Sequence, residues 1–87
     1  MNAIKSKYID VEQADYLSGY KLRLLFSDGT RRVVDFEPFL RKATHPDLTK
    51  YRSLRQFKSF HIDHGNIMWG DYEMIFPVMD LYRGAIL

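Results

Sequence analysis

The stretch "LLFSDGTRRVVDF", residues 24–36, constrains the fold of this chain more than any other. On either side of Ser27-Asp28-Gly29 lie "YKLRLLF" (20–26) and "RRVVDFE" (31–37), rich in β-branched and aromatic residues. Their partial period-two alternation marks half-buried strands. Two loops are open to such a hairpin. A two-residue Asp-Gly loop sets Leu22 opposite Asp35 and Arg23 opposite Val34. A three-residue loop, a type I turn closed by Gly29 in the left-handed conformation, sets Phe26 opposite Thr30, Leu24 opposite Arg32, Leu22 opposite Val34 and Tyr20 opposite Phe36. Lys21 then faces Asp35 on the other side of the sheet. A slip of one residue carries a side chain to the wrong face, so the three-residue loop is expected. Asp28 serves that turn by bonding to nearby backbone, and Gly29 supplies a positive φ without strain. A phosphate or metal loop would ask for more glycine or more carboxylates.

At 87 residues the chain has the size of one small domain, read here as 1–87. Its 46% hydrophobic and 28% charged residues exclude a disordered polyelectrolyte. Aromatics reach 15%, which matters because large rings supply buried area that a small core otherwise lacks. Without cysteine, disulfides and thiolate chemistry are excluded. No apolar run reaches the ~20 residues of a membrane span, and "MNAIKSKYID" lacks the apolar block of a signal peptide. A cytoplasmic protein with no membrane partner is expected.

Further along, a strand is expected within 7–13, with Ile9, Val11 and Tyr8 as its apolar side chains. Pro38 suits the first position of a short helix, "PFLRKA". "THPDLTKYR" reads as a loop or a loosely helical connection. Ser53 and Gln56 have capping-box spacing, with Leu54 and Phe57 on one face of the short helix they begin. "FHID" and "NIMW" read as a second hairpin around His64-Gly65, with Trp69 as a core anchor. The tail "MIFPVMDLY" reads as a short strand and a turn. The expected fold is α+β: a small antiparallel sheet of four to six strands with one or two short helices on one side.

Taken together, "YKLRLLFSDGTRRVVDFEPFL", then Leu54, Phe57 and Phe60, then "IDHGNIMW" and Leu81-Tyr82, resemble a small bacterial family, domain of unknown function family 2442. The resemblance runs from about residue 8 to residue 82. It implies a compact α+β domain, in some members fused to a DNA-binding helix-turn-helix, a module not expected within these 87 residues. No activity is assigned to that family, so the resemblance implies no catalytic residues.

Two clusters invite functional readings. In "HIDHG", His61 and Asp63 project from one face of a strand and His64 follows at the turn. Two imidazoles and a carboxylate suit zinc, iron or nickel. Three ligands so close in sequence rarely converge without a fourth, however, and Phe60 and Ile62 claim the buried face. An exposed strand end with no metal and no cofactor is therefore expected, and His45 before Pro46 is expected to be solvated. The second cluster is the basic stretch 41–58, where Arg41, Lys42, Lys50, Arg52, Arg55 and Lys58 stand against Asp47 alone, a net +5. Lys50, Arg52, Arg55 and Lys58 alternate with aromatic rings, a pattern of single-strand nucleic-acid binders. The other reading is an amphipathic segment whose cations pair with Asp63, Asp71, Glu73 and Asp80 of the acidic C-terminal third. That reading is preferred.

Nothing links a serine to a histidine and an aspartate, and no Gly-x-Ser-x-Gly elbow occurs. An enzyme is not expected. A non-enzymatic interaction or regulatory module is, with nucleic-acid binding as the alternative and a metal protein at His61, Asp63 and His64 a weaker one. Unpaired strand edges and the apolar tail "RGAIL", with Ile86 and Leu87, point to a homodimer or a small partner protein. The interface is expected on an edge strand or the tail, away from 41–58.

Overall fold

A computed structural model of the chain describes residues 8–84 and Ile86. Six strands and four short helices follow in the order β1 (Val11–Ser18), β2 (Lys21–Phe26), β3 (Arg31–Asp35), α1 (Glu37–Lys42), α2 (Pro46–Thr49), α3 (Leu54–Phe57), β4 (His61–Asp63), β5 (Asn66–Trp69), β6 (Met74–Ile75) and α4 (Val78–Arg83), with a 3₁₀ turn at Lys50–Arg52. The α+β class and the antiparallel pairing are as expected. The strands divide into two three-stranded sheets, ordered β1-β2-β3 and β4-β5-β6. The helical stretch 37–57 separates the two strand groups in the chain. The Val11 amide donates to the Gly65 carbonyl (2.8 Å), tying the start of β1 to the β4–β5 turn.

The first hairpin has the expected register, with Lys21 opposite Asp35, Leu22 opposite Val34 and Leu24 opposite Arg32. The Phe26 amide donates to the Thr30 carbonyl (2.8 Å), the Phe36 amide to the Tyr20 carbonyl (2.9 Å), and Gly29 has φ +91°. Leu22, Leu24, Phe26, Val34 and Phe36 are buried on the inner face. Asp28 serves the turn, accepting from the Thr30 amide at 2.9 Å and from the Tyr82 hydroxyl at 2.6 Å. Those bonds, the tyrosine's first, hold its carboxyl below the usual range.

Strand β1 begins later than the expected 7–13. Tyr8 is exposed, Ile9 is half-buried, and Lys7 lies outside the described residues. Pairing with β2 decides its position: Val11 lies opposite Phe26 and Ser18 opposite Lys21, with irregularities between Val11 and Gln13 and between Tyr16 and Ser18. Those shifts break the alternation on which a sequence reading depends.

Residues 44–52 are more helical than a loop. Pro46 stands at the start of α2, and the His45 side chain, though exposed, caps it by accepting from the Asp47 amide (3.1 Å). Ser53 is the N-cap residue of α3 but makes no side-chain capping bond. Phe57 is fully buried, whereas Leu54 is 42% exposed, so a single turn does not give both the same face. The tail forms a strand and a helix rather than a strand and a turn. Pro77 starts α4 and Gly84, with φ +76°, ends it. Ile86 is buried in the core, so it is not the exposed apolar end expected of the tail; Leu87 lies outside the described residues.

Trp69 is the core anchor. It is fully buried, stacks on Phe57 with ring centroids 5.6 Å apart, and meets Phe36 edge-on at 5.4 Å. Its indole N–H donates to the Phe57 carbonyl at 2.6 Å, satisfying the one polar atom that its burial would orphan.

Candidate functional site

The "HIDHG" cluster forms the end of a short hairpin, with His61 opposite Met68 and Asp63 opposite Asn66. His61 is exposed. His64 is 88% exposed, has φ +52°, and its Nδ1 lies 2.9 Å from Asp63 Oδ1. Among the described residues, no three His, Asp or Glu side chains gather into a possible metal site. Gly65 is needed here for a structural reason. It has φ +81°, and a Cβ on it would overlap the Asp10 carboxylate and come within 2.8 Å of Asp10 Cβ.

The basic segment commits several of its cations to bonds within the chain, although all of them reach the surface. Arg52 is a clamp: Nε donates to the Leu40 carbonyl (2.9 Å), and Nη2 to those of Arg41 (3.2 Å) and Ala43 (2.7 Å). It thereby closes the C-terminal end of α1, where free carbonyls favour a cation. Its own carbonyl accepts from the Tyr20 hydroxyl. Arg41 pairs with Glu37 one turn away. Lys50 pairs with Glu73, the contact between the basic stretch and the acidic third that charge balance suggested. Lys58 lies 4.6 Å from the centre of the Tyr16 ring. Arg55 and Lys42 project into solvent with no ion pair among the described residues.

Glu73 also accepts from the Tyr51 hydroxyl at 2.7 Å, and a side chain on Gly70 would strike both groups. The bonds from Lys50 and Tyr51 lower the Glu73 carboxyl below its ordinary range. Burial, followed by the adjacent carboxylate, pushes the Tyr51 phenol up to about 12. This trio fastens the 3₁₀ turn to the segment linking β5 and β6. A cavity of about 320 Å³ beside α1 is lined by Tyr20, Glu37, Leu40, Arg41 and Arg52, the clamp and its neighbours.

The remaining surface of note is the outer face of the first sheet. Strand alternation sends Lys21, Arg23 and Leu25 of β2 and Arg31, Val33 and Asp35 of β3 outward, beside Gln13 and Asp15 of β1. Gln13, Asp15, Arg23, Leu25 and Arg31 line a depression of about 380 Å³. Val33 is 54% exposed at its border. Arg23 approaches Asp15 at 4.0 Å, while neither Arg31 nor Asp35 has an ion pair among the described residues. Sequence reasoning recognised the Lys21–Asp35 pairing but not this surface. The outward alternation was visible, but whether another layer covers it was not.

These features define a small α+β fold of two antiparallel sheets, its polar clusters devoted to turns and clamps and, among the described residues, one sheet face largely open. The chain belongs to the family described as protein of unknown function (DUF2442), whose model matches residues 11–86. It is similar to a crystal structure of a protein from Nitrosomonas europaea ATCC 19718 described as a "Putative DNA Binding Protein". The identity is 30% and the TM-score 0.74, over 90% of this chain and 49% of that one. The chain thus spans about half the length of that relative. No functionally curated protein matches it. No helix of the described residues is long and apolar enough to cross a membrane.

Proposed function

We propose that the chain is a non-enzymatic cytoplasmic module that works by binding another polypeptide through the outer face of its first sheet. One observation carries this reading: β1–β3 bury Leu22, Leu24, Phe26 and Val34 on one face, while among the described residues the other stays largely open, with Val33 and half-buried Leu25 set among Arg23, Arg31 and Asp15. Apolar side chains ringed by charges suit a protein partner better than a small substrate. The groups with shifted pKa values support the same reading. Asp28, Tyr51 and Glu73 are each engaged by a turn or clamp, whereas catalytic acids and bases face a cleft. The test is affinity capture from the native host with the full chain, alongside Arg23→Glu and Val33→Glu variants. A partner retained by the wild type and lost with both variants is the expected result. A partner retained equally by all three overturns the reading.

A second reading, nucleic-acid binding by the 41–58 segment, is favoured by the name of the Nitrosomonas protein. Against it stand the internal bonds of Arg52, Lys50 and Arg41, which leave Arg55, Lys42 and Lys58 to meet phosphates. Fluorescence anisotropy with single- and double-stranded DNA separates the two readings. Affinity that falls steeply between about 50 and 200 mM salt, and weakens in Arg55→Ala, would favour DNA, because phosphate contacts release counterions.

A further inference from the structure

The geometry points to a homodimer formed by antiparallel pairing of β3 with β3 of a second copy, on a two-fold axis through Val33. This rests on the reading of the chain as an interaction module and adds a second copy as the partner of the sheet's free edge, beside the outer face.

Consider first where the backbone of β3 points. The Phe26–Thr30 and Phe36–Tyr20 bonds set the alternation of the β2–β3 ladder, so Arg32 and Val34 turn their N–H and C=O groups towards β2. Arg31, Val33 and Asp35 turn theirs the other way, and among the described residues no backbone partner meets them. The opposite side of the sheet differs, because β1 is bonded at its start to Gly65 and packs beside β4 and β5. Among the described residues, the open edge is the β3 edge.

The side chains of that edge then select a register. Along the outer face β3 reads Arg31, Val33, Asp35: positive, apolar, negative. With the two-fold axis at Val33, each Arg31 lies opposite Asp35 of the second copy and the two Val33 side chains meet between them. All three outward backbone pairs close. Moving the axis to residue 31 or 35 sets like charges face to face, and moving it to residue 32 sets Arg32 against itself, each of which opposes pairing. An axis at residue 34 leaves Arg31 beyond the partner strand and Val33 facing a carboxylate. An edge defended by charge against indiscriminate pairing is thus complementary to itself in one register. The pairing is isologous and closes as a two-fold dimer, joining two three-stranded sheets into one of six strands.

Sedimentation velocity on the full chain tests this. At high micromolar concentration the wild type should sediment as a dimer. Arg31→Asp and Asp35→Arg each create two like-charge pairs across the axis, and each should sediment as a monomer with wild-type circular dichroism. Mixed in equal amounts, the two variants are complementary at both ends of the strand, and the dimer should return. Amide exchange of the wild type gives a readout independent of variants: Arg31, Val33 and Asp35 should gain protection as concentration rises, while Arg32 and Val34 stay unchanged. A wild-type monomer throughout, a dimer indifferent to both charge reversals, or a mixture that stays monomeric overturns the proposal. A monomer that still captures a partner through Arg23 and Val33 would remove the homodimer and leave the interaction module standing.

Discussion

The two sheets of this molecule face water differently. In the second, Ile67, Met68 and Trp69 of β5 are buried one after another, so both faces of the strand are covered. In the first, burial alternates: Leu22, Leu24 and Phe26 are inside while Lys21 and Arg23 are outside. Stability therefore gathers around Trp69, and the surface proposed for a partner gathers around exposed Val33. Because the two sites lie on different sheets, one can be changed with little effect on the other.

The sharpest way to break that division is Trp69→Ala. Losing the indole from a packed core should cost about 3–5 kcal/mol in urea unfolding, enough to unfold a marginal domain. Next come the two hairpin glycines. Gly65→Ala adds overlap with Asp10 to an unfavourable φ and should cost about 2–3 kcal/mol, whereas Gly29→Ala, whose Cβ meets only open space, should cost about 1 kcal/mol. Equal losses would show that the Asp10 approach relaxes freely. Arg52→Ala should lower stability by about 2 kcal/mol through its three carbonyl bonds, with little recovery in Arg52→Lys, since an ammonium lacks the guanidinium fork.

A smaller effect separates the sheets by pH. The Tyr51 phenol keeps its proton up to about 12 in the folded chain, against an ordinary value of 10.0. Its contribution is whole below pH 10 and is lost as pH rises towards 12. Tyr51→Phe should therefore flatten the fall in stability over that alkaline window, followed by chemical denaturation at stepped pH. The smallest effect belongs to the first sheet. Val33→Ala should change stability by no more than about 0.5 kcal/mol, because that side chain is largely in water already. A larger loss in monomer stability would mean that Val33 serves the core rather than a partner.

The parts that sequence reasoning recovered share a local cause. Leu22, Leu24, Val34 and Phe36 alternate around a turn whose Asp and Gly have few other uses, so register, inner face and loop length follow together. Where local pattern and tertiary pairing diverge, the reading slipped. Strand β1 carries two irregularities that hide its alternation, and it ends at a turn where Gly19 has φ +51°. Helix α4 has local signals, with Val78, Leu81 and Tyr82 at helical spacing between Pro77 and Gly84. Three-residue spacing puts Leu54 and Phe57 on one face, but a single turn is too short to hold that face, and only Phe57 is buried.

By itself the sequence determined an α+β chain with an aromatic core, one well-registered hairpin, and membership of a family recognisable from its Asp-Gly turn and its Trp69 block. It also determined that cations accumulate in 41–58. Only the tertiary structure decided what those cations do, since a count of charges says nothing about carbonyls and carboxylates brought near from elsewhere. Arg52 finds the end of α1 and Lys50 finds Glu73 because the chain folds back on itself. The same holds for the split into two sheets and for which edge stays open. Backbone N–H and C=O groups are alike at every residue, so whether a strand is central or peripheral depends on which strands arrive beside it.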